Sequence, residues 1–167
     1  MDAMCFICFD ADASPAPIQS GCACRGEAGL AHVGCRVQAA EAQAPDRGWA
    51  VWSKCQTCNQ DFTGGMQRGL ADAWWAQVSN RAEDDDEKLA AASNLARSRS
   101  EQGKHPEAEA LRHQVLEASE RVLGPDHSKT LKAKGNLASS LSEQGKHPEA
   151  EALQRCLLYT SPSPRDA

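Results

Sequence analysis

Apolar residues are thinly spread over the first third of the chain and become periodic only beyond residue 65. Up to residue 62 they are Phe6, Ile7, Ile18, Leu30, Val33, Val37, Trp49, Val51, Trp52 and Phe62. A domain of about 60 residues with so little apolar surface is marginal on hydrophobic burial alone and needs another source of stability. Gly64 and Gly65 then break the chain, and Met66 to Val78 reads as an amphipathic helix with Met66, Leu70, Ala73 or Trp74, and Val78 on one face. Trp75 falls off that stripe, and the neighbouring tryptophans are expected to cover the thin core or the helix that follows. The acidic run Glu83 to Glu87 suits a solvated linker or a first helical turn, where carboxylates complement the helix dipole.

The second half repeats with a shift of 42 residues. Asn94-Leu95-Ala96 falls on Asn136-Leu137-Ala138, and EQGKHPEAEAL from Glu101 to Leu111 falls on Glu143 to Leu153 without a mismatch. Within a unit the period is helical. Leu89, Ala92, Leu95 and Ala96 share a face, Gly103 supplies a turn, and Pro106 sits in a first turn where its missing N–H costs nothing. A second helix runs to about Leu123 with Ala108, Leu111, Val115, Leu116 and Val122 inward, and Gly124-Pro125-Asp126 ends it. Helix-turn-helix repeats follow, the first from Lys88 to about Leu123 and the second from Thr130 onward.

What stabilises the first third is written in its ligands. Seven cysteines and a histidine form four pairs, Cys5/Cys8, Cys22/Cys24, His32/Cys35 and Cys55/Cys58, in the string C-x2-C-x13-C-x-C-x7-H-x2-C-x19-C-x2-C. Eight such ligands suffice for two tetrahedral, closed and therefore structural zinc sites, two Zn2+ in all. A disulfide framework is disfavoured, because no signal peptide precedes Cys5, C-x-x-C spacing favours metal, and seven cysteines cannot pair off. A PHD finger shares the ligand order, but usually with a wider third gap, a shorter one before the histidine, and a tryptophan two residues before the seventh ligand. Here those gaps are one and seven residues, and Trp52 stands three before Cys55.

With histidine fifth in order, and with CACRGEAGLAHVGC from Cys22 to Cys35, the segment resembles the RING-CH (RING-variant) domain of the membrane-associated RING-CH ubiquitin ligases. That resemblance implies a small zinc-stabilised α+β cross-brace, with Cys5, Cys8, His32 and Cys35 on one ion and Cys22, Cys24, Cys55 and Cys58 on the other. It also implies a ubiquitin-conjugating enzyme as partner, touched by Ile7 and by Trp49 or Trp52. A ligase of this type has no nucleophile and acts by orienting the charged conjugate. Two residues depart from many active RING domains: Gln56 replaces a proline after the seventh ligand, and Asn59 replaces a cation after the eighth. A non-catalytic adaptor, or more remotely a PHD-like peptide reader, is the competing expectation.

The motif NLA-x7-QGK-x2-EAEAL with RVLGPDH resembles the tetratricopeptide repeats of kinesin light chains, which implies all-α helical hairpins that bind a protein or peptide. In that family a helix-A asparagine reaches the backbone of a bound peptide, and Asn94 and Asn136 match its position. Charge narrows the partners further. The chain carries a formal net charge of −5, and residues 1–80 hold eight acidic and five basic side chains. Thiolate-rich zinc sites add about −1 and −2, so nucleic acid is an improbable ligand, although Lys54 and some arginines can cluster locally. No run of about 18 apolar residues exists to span a membrane, and a cytoplasmic or nuclear rather than secreted protein is expected.

The expected organisation is a zinc finger at residues 1–65, a connecting helix and acidic linker at 66–87, two repeats at 88–155, and a tail at 156–167. That tail departs from the repeat after Arg155 and resembles a translated sequencing adapter. It is expected to be non-native, with Cys156 outside any metal site and further repeats in the natural protein.

Overall fold

The structure, a computed structural model, describes residues 4–10, 15–24 and 29–160. The chain forms two compact units, Met1–Asn80 and Arg81–Ala167. Residues 161–167 of the proposed tail, and Gly26 of the motif between Cys22 and Cys35, lie outside the described residues.

In the first unit, β1 (Ile18–Gln19) pairs antiparallel with β2 (Leu30–Ala31), setting Ile18 opposite Ala31 and Gln19 opposite Leu30. Two residues per strand cannot stand alone; the ladder fixes register. It leaves Cys22 just beyond β1 and His32 just beyond β2. Helix α1 (Val33–Arg47) begins at once, with His32 at its N-cap in extended backbone and Cys35 in its first turn. No long helical period in the sequence marks this helix. Its apolar stripe is only Val33, Val37 and Ala40, and Ala40 is its one fully buried residue. Gly48, at φ 71°, ends α1, and a single 3-10 turn, Trp49–Trp52, follows.

Helix α2 (Gly64–Val78), expected as a connector, packs inside this unit against α1, β1 and the 3-10 turn. Met66, Leu70, Ala71, Trp74 and Val78 are its buried apolar face. The Trp74 ring lies parallel to that of Trp52, with centroids 5.5 Å apart. Gly69 marks the closest approach to α1: a Cβ there would stand 2.4 Å from Val33 Cγ1.

The second unit is four helices, each packed on the next: α3 (Asp86–Glu101), α4 (His105–Leu123), α5 (Ser128–Glu143) and α6 (His147–Thr160). The acidic run is a helix start. Asp85 Oδ1 accepts from Lys88 N at 2.8 Å, and Asp86 and Glu87 occupy the first turn. The hairpin turns repeat bond for bond. Gly103 N donates to Ser100 O and Lys104 N to Arg99 O, as Gly145 N does to Ser142 O and Lys146 N to Leu141 O. Gly103 and Gly145 hold φ 75° and 76°, a conformation open to glycine at no steric cost.

The buried side chains are small, with Ala91, Ala92, Ala96, Ala108, Ala133 and Ala138 at the crossings around Leu95, Leu116, Leu137 and Leu141. Val122 corrects the expected stripe: it is 50% exposed. The α4 residues turned to α5 include Ser119, whose carbonyl accepts from Thr130 Oγ1 at 3.2 Å, and Glu120, which meets Lys134 Nζ at 3.0 Å. Leu89 and Leu111 are half-buried, while Ala118 and Ser119 are buried in α4.

Polar contacts tie one repeat to the next. Ser100 Oγ donates to Glu143 Oε2 at 3.3 Å, Lys129 Nζ meets Asp86 Oδ1 at 2.9 Å, and Lys146 Nζ meets Glu109 Oε2 at 2.8 Å. Among the described residues no helix is long and apolar enough to cross a membrane.

Candidate metal centre and adjoining groove

Two ligand pairs sit on the same kind of turn. Phe9 N donates to Cys5 O at 2.9 Å and Cys5 N to Asp10 O at 3.1 Å; Asn59 N donates to Cys55 O at 2.8 Å and Cys55 N to Gln60 O at 2.9 Å. The residue after each pair, Phe9 or Asn59, takes a left-handed conformation with φ 58° or 56°. This closes the C-x-x-C loop and aims both sulfurs to one side. The other two pairs come from the ladder and from α1.

The donor atoms of Cys5, Cys8, His32 and Cys35 lie within 4.8 Å of one another, as do those of Cys22, Cys24, Cys55 and Cys58. First and third pairs combine, and second and fourth combine, which is the interleaved cross-brace with two zinc ions. Bond lengths test the fit. Tetrahedral Zn–S bonds of about 2.3 Å require sulfur–sulfur edges of about 3.8 Å, and a sulfur–nitrogen edge of about 3.5 Å. Cys24 Sγ and Cys55 Sγ are 3.7 Å apart, and His32 Nδ1 is 3.4 Å from Cys8 Sγ and 3.7 Å from Cys35 Sγ. Both sets fit zinc, with His32 offering Nδ1.

Electrostatics agree with that assignment. Burial pushes the Cys5 thiol up, but the backbone amides of Cys8, His32 and Ile7 outweigh it and bring the thiol down to about 6. Ile7 N and His32 N approach Cys5 Sγ at 3.4 and 3.5 Å. The amide of Gln60 is the main cause that lowers Cys58, also to about 6. Cys24 and Cys35 are pushed up to about 12, first by burial and then by neighbouring sulfurs. Sulfurs this close cannot all ionise unaided, and a divalent cation is the group that lets them.

A groove of about 310 Å³ opens beside the first zinc cluster, floored by Val51, Phe62 and Ala40 and flanked by Phe6 and Ile7. Arg36, Lys54 and Gln56 complete its rim. Of the three residues expected to meet a conjugating enzyme, Ile7 lines this groove and Trp49 is 39% exposed. Trp49 and Trp52 were alternatives for the second contact, and Trp52, at 2% exposure and stacked on Trp74, belongs to the core. Nothing local marks Trp52 as core, because its stacking partner Trp74 lies outside the ligand-bearing segment.

Sequence reasoning also missed Arg36 and Lys54 as groove residues. Each adjoins a ligand, Cys35 or Cys55, but the two ligands belong to different clusters, so their spacing gave no sign that Arg36 and Lys54 meet in one groove. In the repeats, Asn94 is half-buried. Its Oδ1 accepts from Arg97 Nη2 at 3.2 Å, and its Nδ2 is buried with no hydrogen-bond partner among the described residues. Asn136 is exposed.

These features define a cross-braced zinc domain joined to helical-hairpin repeats. Residues 5–60 match the RING-variant domain and residues 87–158 the tetratricopeptide repeat, so a RING-variant zinc finger is followed by a tetratricopeptide repeat region. The crystal structure of BtubC (BKLC) from P. vanneervenii is similar in fold, with a TM-score of 0.54 at 17% identity, covering 77% of this chain and 45% of that one. The chain thus spans less than half the length of that structure. No curated protein matches it.

Proposed function

We propose that the protein is a RING-variant ubiquitin-protein ligase that recruits a charged ubiquitin-conjugating enzyme through its zinc domain and a protein substrate through its repeats. The observation that carries this reading is the groove beside the Cys5–Cys8 turn, where Ile7 meets an apolar floor next to a zinc cluster. Zinc holds the ligand turns, and Ile7 and Trp49 offer the partner an apolar contact. Catalysis is then a matter of holding the conjugate in a reactive geometry. The repeats supply Asn94 and Asn136 for the backbone of an extended peptide, and thiolate ligands suit a reducing compartment.

Discharge of ubiquitin from a conjugating enzyme onto free lysine tests the proposal. Wild type accelerates discharge with at least one member of a broad enzyme panel, and Ile7→Ala loses most of that acceleration while keeping two zinc ions. No acceleration with any enzyme favours a non-catalytic adaptor. Gln56 and Asn59 are the observation behind that second reading. Arg47 Nη1 donates to Gln56 Oε1 at 3.1 Å, so this side chain is engaged within the fold, and Asn59 brings an amide where a cation is common.

A further inference from the structure

The sign of charge reverses at the groove. Residues 1–80 carry eight acidic and five basic side chains, yet Arg36 and Lys54 line the groove and no carboxylate does. Arg47, bonded to Gln56 on the rim, brings a third cation beside it. The Arg36 guanidinium lies over the Phe62 ring, 5.5 Å from its centroid, which places a cation against the apolar floor. Arg36 Nε is buried with no hydrogen-bond partner among the described residues. Nε itself is enclosed, but the side chain as a whole is only half-buried and lines the groove, so its guanidinium can offer an arriving carboxylate a charge-assisted bond.

We propose that this groove selects, among conjugating enzymes, those whose docking loop carries an apolar side chain next to a carboxylate. The apolar side chain packs on Ile7, Val51 and Phe62, and the carboxylate is bound by Arg36 and Lys54. This rests on the ligase reading above and adds a partner class to it. Charge complementarity at such a rim governs specificity and on-rate more than total affinity.

The test is calorimetric titration of the full chain with two conjugating enzymes, one acidic and one basic beside the apolar docking residue, at low and high salt. The acidic-loop enzyme binds about tenfold more tightly at low salt, and salt narrows the difference by screening. Arg36→Glu or Lys54→Glu removes the preference, and exchanging the partner's carboxylate for arginine restores binding to Lys54→Glu. Zinc content and a melting curve on each variant identify any that fail to fold. Equal binding of both enzymes, or undiminished preference in both charge variants while Ile7→Ala abolishes binding, overturns the selectivity and leaves the ligase reading standing. If wild type binds no conjugating enzyme, both fall.

Discussion

Individual residues decide how tightly the ligand-bearing segments are held. Cys5, Cys8, His32 and Cys35 were recognisable from spacing because zinc chemistry admits few side chains. Gly69 was not, because nothing local marks a helix glycine as a contact. Its missing Cβ lets α2 approach Val33, which stands between the ligands His32 and Cys35. Gly69→Ala therefore pushes on the start of α1, and we expect it to lower the stability of the first unit by about 1–3 kcal/mol, the usual range for overpacking. Faster zinc loss to a chelator, followed with a colorimetric indicator, is the readout. Gly34→Ala is the matched control: a Cβ at Gly34 meets nothing within 4 Å, so helix propensity alone acts and retention is unchanged or better. Equal zinc loss in the two variants would contradict this account of Gly69.

At the level of helices and strands, periodicity revealed what local order can reveal. The EQGKHPEAEAL segments fixed the turns at Gly103 and Gly145, because identical sequence makes identical caps. Helix α1 stayed hidden since its stripe is short and its start is set by β2 and two ligands. The repeat interface adds a pH dependence. The Lys146 ammonium beside Glu109, 2.8 Å away, holds this carboxyl below its ordinary value. A lowered folded-state pKa stabilises above the unfolded carboxylate pKa of about 4.3 and is lost as pH falls through the folded value. Acid titration of the repeats, followed by melting temperature, should show a small loss of stability below that range. Glu109→Gln abolishes this component; an unchanged acid profile in that variant would mean that the pair contributes nothing measurable, as many exposed pairs do.

Across the whole chain, the first unit owes its fold to metal and the second to its helix crossings. Chelation with a strong zinc chelator is expected to unfold the first unit, including α2, and to remove from the far-ultraviolet signal only the helical share of α1 and α2. Loss of the entire helical signal would instead show one cooperative body. Trp74→Ala belongs with this experiment, since its ring stacks on Trp52 although it lies beyond the matched segment 5–60. A loss of about 3–5 kcal/mol, typical of removing a buried tryptophan, makes zinc binding weaker without touching a ligand.

What the residues alone determined was chemistry and period: which side chains suit zinc, and where the repeat turns fall; which ligands share an ion was decided by the fold. Ligand identity and helical spacing are local properties, readable without a fold. Membership of surface or core was settled in three dimensions, with Trp52 buried, Val122 exposed, α2 inside the zinc unit, and Arg36 brought with Lys54 to one groove. Burial depends on what another segment places opposite a side chain. In a cross-brace that other segment is brought in through the metal and comes from far along the chain.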